Sequence, residues 1–140
     1  MNAYSNHYQN NQVMTASPEQ ILVMLYDGAI RFVRQAKFAI EDDRAGDKAI
    51  AISKAIAIIT EFSNTLDYEV GGDIALDLGR LYDFMIRELT AVNARGDIDR
   101  LTPVENILLD LREGFSGAIE INRGGAKKPE SAASQLAASF

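Results

Sequence analysis

The chain has 140 residues, 47% of them hydrophobic, with a net charge of −6 and no cysteine. That length fits one domain with its own core, and the missing cysteines exclude a disulfide framework, a thiolate metal site and a cysteine nucleophile together. From Arg123 onward, Arg123, Lys127 and Lys128 against Glu130 give +2, which leaves −8 for residues 1–122; so acidic a body repels phosphate backbones and excludes nucleic acid as a partner.

Residues 1–16 are polar, with Tyr4, Tyr8, Val13 and Met14 as isolated apolar points, and read as an arm without a helix of its own. The start, MNAYSNHYQNNQ, has neither a positive nor an apolar region, so no secretory signal is expected there. The longest apolar run, ILVMLY (21–26), is far too short for a bilayer, and no basic amphipathic stretch suggests membrane insertion.

SPEQ (17–20) has the form of a helix start, with Ser17 as cap, Pro18 in the first position and Gln20 reaching back. The first helix is predicted to run to about Asp43, with a seam of Leu22, Leu25, Ala29, Phe32, Ala36 and Ala39. AGD (45–47) breaks it, with Asp47 as the next cap. A second helix follows, with Ile52, Ile56, Ile59, Ser63 and Leu66 on its seam, ending at Gly71-Gly72. Asp73 or Gly72 opens a third, with Leu78, Leu81, Met85, Leu89 and Val92, closed by NARGD (93–97). TPVE (102–105) repeats the starting device, with Thr102 as cap, and a fourth helix continues to about Asn122. Residues 123–140 are rich in glycine, serine and alanine and read as a flexible tail. No stretch alternates with period two. Short connections between four long helices predict an all-α fold, an antiparallel up-down-up-down four-helix bundle over residues 17–122.

One phrase occurs twice. LYDGAIR (25–31) returns as LYDFMIR (81–87), so the frame recurs after 56 residues on the first and third helices, which run parallel. Each tyrosine lies one step off the predicted seam, its ring suited to burial and its hydroxyl to water or a partner. Each Asp and Arg, at i and i+4 (27/31 and 83/87), could pair on the surface.

The helices also carry a second apolar line beside the seam: Val23, Tyr26, Ile30 and Val33 on the first, Ile50, Ala55, Ile58 and Phe62 on the second, Tyr82 and Ile86 on the third. A bundle helix needs roughly three apolar positions per heptad. The surplus fits either a thick core or an exposed groove for another chain's apolar residues.

Catalytic chemistry finds no foothold. His7 is the one histidine and lies in the arm, so neither a di-iron bundle nor a phosphotransfer bundle can be built. Gly71-Gly72 follows a helix and precedes no lysine, unlike a phosphate loop. Asp27 and Asp83 have an arginine each and no nucleophile beside them. The chain is not expected to be an enzyme, nor to need a cofactor or metal.

NAYSNHY (2–8), TASPEQ (15–20), MLYDGAI (24–30), SKAIAII (53–59), EVGGDIA (69–75), LYDFMIREL (81–89) and LLDLREGF (108–115) occur in this order. Together they resemble the FliS-type flagellin export chaperones. Phe115 stands where the family often has tryptophan, Val92-Asn93 where it often has Ala-Asn, and nothing after Arg123 matches. The resemblance implies a helical bundle in the bacterial cytosol that binds the disordered C-terminal segment of flagellin. It would prevent premature polymerisation and help deliver the subunit to the type III export gate, a membrane protein. With the groove along the first three helices, the second apolar line would supply client contacts at Tyr26, Ile30, Ile58, Phe62, Tyr82 and Ile86, residues that otherwise belong to the core. Asp27, Lys54 and Asp83 would lie at the rim, and Tyr4 and Tyr8 would cover the groove when empty. The alternatives are a homodimeric bundle whose extra apolar stripe is its own interface, and a regulator capturing another helical partner such as an anti-sigma factor.

Overall fold

The polar punctuation at Ser17 nucleates the first helix. Ser17 Oγ accepts the Gln20 N–H at 3.2 Å, and the Gln20 side chain accepts the Ser17 N–H at 2.9 Å. With Pro18 in the first position this starts α1, Pro18–Glu41. The structure, a computed structural model, describes the backbone of residues 16–123 and the side chains of residues 16–117. The expected arm and tail otherwise lie outside the described residues.

α1 ends before AGD, by a device the sequence reading missed. Asp43 takes a left-handed conformation, φ 55°. Its N–H donates to Ile40 O at 3.2 Å, and the Arg44 N–H donates to Ala39 O at 2.8 Å. This is a Schellman closure with aspartate where glycine is usual, and a short polar side chain tolerates that conformation better than most. Hence α2, Ala45–Asn64, already contains Gly46 and Asp47, and Asp47 pairs with Arg44 at 3.3 Å in place of capping.

α2 also stops before Gly71-Gly72. The Thr65 hydroxyl donates to Glu61 O at 3.0 Å and to Phe62 O at 3.1 Å, capping the last turn. Asp67 then accepts the N–H groups of Glu69 and Val70 and opens α3, Tyr68–Arg95. Gly72, at φ 52° and ψ −126°, breaks the helical path, so one turn precedes the main rod. The glycine pair thus marks a break inside an element. Gly96, φ 71°, ends α3 with its N–H on Val92 O. A 3-10 turn, Ile98–Arg100, leads into α4, Leu101–Arg123. Thr102 therefore lies inside that helix and is not its cap.

α1 packs on α2 and α4, and α3 on the same two helices, so the four close an antiparallel up-down-up-down bundle. No strand occurs among the described residues. Ion pairs Asp27–Arg112 and Arg34–Glu105 mark the α1–α4 register. Seven residues forward on α1 correspond to seven back on α4.

The buried stripe of α1 is Leu22, Tyr26, Ala29, Val33 and Ala36, and that of α3 is Leu78, Tyr82, Met85, Leu89 and Val92. Each member of the second stripe lies 56 residues after its counterpart, so the repeated phrase is the visible part of a repeated core. The predicted seams had Leu25 and Leu81 where the structure buries Tyr26 and Tyr82. The phenol hydroxyls make this possible: they meet across the interior at 2.7 Å. Neither is left without a partner, which removes the main cost of burying a phenol.

Burial raises both phenol pKa values above the ordinary range, and within the pair a charge on Tyr26 further opposes ionising Tyr82. The folded state thus holds protons that unfolded tyrosines release near pH ~10, so the pair's stabilisation is complete below that pH and is lost above it. Two tyrosines are expected to titrate only as the chain unfolds, read by phenolate absorbance alongside circular dichroism. Tyr26→Phe and Tyr82→Phe are each expected to cost about 1–2 kcal/mol in denaturant unfolding. The double variant should cost less than their sum.

Backbone geometry sets opposite signs at two positions. Asp43→Gly should raise stability by roughly 0.5 kcal/mol by relieving the left-handed aspartate. Gly72→Ala should lower it by about 1–3 kcal/mol, since φ 52° with ψ −126° suits no L side chain. Urea midpoints of the two variants check both signs.

Candidate interaction site

Three of the residues expected to touch a client turn inward. Tyr26, Phe62 and Tyr82 are buried, as is Phe115. Tyr26 stacks on Phe62 with ring centroids 4.4 Å apart and on Phe115 at 5.5 Å, and Phe62 lies 5.7 Å from Tyr82. One aromatic ring from each helix joins a layer across the bundle. Tyr26 and Tyr82 have no face left for another chain, which corrects their expected role, and Phe62 reaches the surface only as a cleft floor. Ile30 is also buried, at 5% exposure. Ile58 and Ile86 are half-buried at the edge of the core.

The expected rim residues Asp27, Lys54 and Asp83 are exposed. Asp27 pairs with Arg112 of α4, not with Arg31 one turn along its own helix. Among the described residues no ion pair joins Asp83 to Arg87. Hydrogen bonding to Asp27 raises the Arg112 pKa above its ordinary value. Lys54 and Arg31 both lie over the Phe32 ring, at 5.5 and 5.2 Å from its centroid, so this half-buried ring carries two cations on the α1–α2 face. Tyr4 and Tyr8 fall outside the described residues.

Two depressions bring nominated residues to the surface. The first, about 370 Å³, lies between the start of α1 and the end of α2. Its walls are Ile21 and Leu25, its floor Leu22 and Phe62, and its rim Glu19 and Glu61. Leu25 is 39% exposed, and no ion pair engages either glutamate among the described residues. The second, about 620 Å³ and shallower, lies on the α1–α4 face, where Ile30 and Leu109 are bordered by Asp27, Arg31, Arg34 and Arg112. Ile58 sits further along the α1–α2 seam, its Cδ1 3.5 Å from where a Cβ on Gly28 would stand. Phe62, Leu25, Ile58 and Phe32 therefore belong to one face. Ile86 on α3 is not brought into either depression.

The sequence reading missed Leu25, Ile21, Glu19 and Glu61 as surface features. Their signal was the phase of α1: once Tyr26 is counted as core, Leu25 rotates outward. Phe38, 66% exposed at the far end of α1–α2, was likewise not singled out as surface, whereas Ile50, 57% exposed beside it, belongs to the second apolar line of the sequence reading.

The family model described as "Flagellar protein FliS" matches residues 1–122. The chain belongs to the FliS family. Flagellar secretion chaperone FliS of Salmonella typhimurium is 40% identical over 114 residues, covering 81% of this chain and 84% of the relative. The protein of the same name in Bacillus subtilis is 36% identical over 116 residues, covering 83% and 86%. A solved structure described as a flagellar chaperone from bacteria superposes with a TM-score of 0.70 at 21% identity, over 84% of this chain and 95% of that one, which supports the bundle fold. FliS is a chaperone family, not an enzyme family, and at that level the chain is a flagellar secretion chaperone. Among the described residues no helix is long and apolar enough to cross a membrane.

Core and cleft roles separate by mutation. Phe62→Ala should cost about 3–5 kcal/mol, because it removes a ring from the aromatic layer. Leu25→Ala should cost about 1 kcal/mol or less, as a partly exposed side chain. Denaturant unfolding of both variants checks the contrast.

Proposed function

We propose that this chain is a cytosolic chaperone that binds the disordered C-terminal segment of flagellin, keeps it from polymerising, and helps present it to the type III export gate. The observation that carries this is the α1–α2 face, where Ile21, Leu25, Phe32 and Ile58 offer apolar surface beside an open cleft. An apolar segment that folds only on contact suits such a face: it lays its hydrophobic positions against a preformed scaffold. The order it gains offsets much of what burial contributes, so affinity stays moderate and release remains available. In this reading Ile58 and Phe32 contact the client. Lys54 offers hydrogen bonds at the edge of the face, and Asp27 offers them from the adjoining α1–α4 depression. Tyr26 and Tyr82 act from beneath, by holding the face in shape, and Ile30 lines the adjoining α1–α4 depression.

The decisive experiment mixes the full chain with a flagellin C-terminal peptide and measures helicity and complex mass together. Wild type should bind with a gain in helicity. Leu25→Asp should bind at least tenfold more weakly while its free-state circular dichroism stays helical. Undiminished binding by a folded Leu25→Asp variant, or no binding by wild type, would overturn the proposal.

A further inference from the structure

We infer that the chain's own segment 124–140 docks in the cleft between the start of α1 and the end of α2. Three observations converge on it. The first is position. The ion pairs Asp27–Arg112 and Arg34–Glu105 advance together by seven residues in opposite senses. Carried eleven residues further, that register sets Arg123 level with Ala16, so α4 ends at the same end of the bundle as Pro18, Ile21 and Thr65, which line the cleft. The seventeen residues after Arg123 can extend about 56 Å, against roughly 20 Å needed to pass one helix diameter and rise two turns.

The second is charge. The cleft is rimmed by Glu19 and Glu61, neither in an ion pair among the described residues. The segment brings Lys127 and Lys128, four and five residues beyond the helix, within about 17 Å of extended reach. Residues 1–16 are the rival occupant, since they lead directly into Pro18, but they hold no charged side chain apart from the titratable His7 and so offer the glutamates nothing comparable. The third is apolar content. Leu136 and Phe140 follow the lysines at a distance that lets the basic pair lie on the rim while the apolar pair enters between Leu25 and Phe62. The family match ends at residue 122, so this occupant belongs to this chain and not to the shared fold. Tethering gives it a high effective concentration, which lets a modest contact hold.

The absence of cysteine makes a clean test possible. A nitroxide on Ser139→Cys in the full chain should broaden the methyl signals of Ile21 and Leu25 selectively. Lys127→Glu with Lys128→Glu should cut that broadening at least threefold while the rest of the spectrum stays in place. Raised salt should act in the same direction. Broadening confined to methyls away from the cleft, or of none, would overturn the inference. Broadening of Ile21 and Leu25 from a label on Ser5→Cys and not from Ser139→Cys would assign the cleft to the arm and overturn it equally. None of these readouts needs flagellin. Where the proposed client site also holds, removing residues 124–140 should tighten flagellin-peptide binding several-fold. A peptide that binds neither form would sink the client reading alone and leave the docking result standing.

Discussion

The hydroxyl contact between Tyr26 and Tyr82 is the constraint around which the bundle is arranged. Two phenols in a dry interior are tolerable only when their polar ends are satisfied, and at 2.7 Å each lies within hydrogen-bond reach of the other. The contact joins α1 and α3, the parallel helices on opposite sides of the ring, so one pair sets their axial register. Phe62 and Phe115 fill the remaining corners of the layer. A slip of one turn on α1 or α3 would uncouple the hydroxyls and unstack the rings together, and a slip on α2 or α4 would unstack the rings. Polar specificity and aromatic packing therefore select the same alignment. The surface ion pairs, each contributing about 0–1 kcal/mol, follow that register and do not impose it.

The 56-residue repeat follows from that layer. A tyrosine that must meet its counterpart at one height needs the same leucine one turn before it and compatible small or medium residues after it. Leu22 and Leu78, then Ala29 and Met85, Val33 and Leu89, Ala36 and Val92 obey this spacing. The substitutions within the pairs have a sense. α1 carries alanines where α3 carries methionine and valine, so α1 can approach its neighbours closely while α3 fills the volume. That asymmetry matches the packing, in which α1 makes the more extensive contacts with α2 and α4.

Fold class, helix number, the capping box at Ser17 and the end of α3 at Gly96 were legible because each rests on local chemistry. The misplaced boundaries around the second helix share one cause, glycine given priority over polar residues able to do the same work, whereas at Thr102 a cap-like sequence lies inside a helix that a 3-10 turn has already started. Asp43 takes the left-handed turn, Thr65 caps its own helix, and Asp67 starts the next, while Gly46 and Gly71 are ordinary helical residues. The site was less legible. Tyr26, Phe62 and Tyr82 looked like surplus because periodicity alone cannot tell a second seam from the true one. The hydroxyl pair that decides between them is a contact between residues far apart in sequence. The interhelical partner of Asp27 was hidden for the same reason, since Arg112 lies on another helix and Arg31 only one turn away.

A closed core has a consequence for a secretion chaperone. Had the aromatic layer been the binding surface, engaging a client would require opening the bundle, and release would be slow. With the layer sealed, what remains outside is a shallow apolar face whose cleft floor is the outer side of Phe62 and Leu22. Such a face keeps its shape whether or not it is occupied, so the conformational cost of binding falls mostly on the client. In the proposed role, exchange of occupants needs only that one segment slide off as another arrives. On the proposed reading, this edge placement makes a small all-helical scaffold a holder that can also let go: the residues that give stability and those that give contact lie back to back, and Phe62 belongs to both.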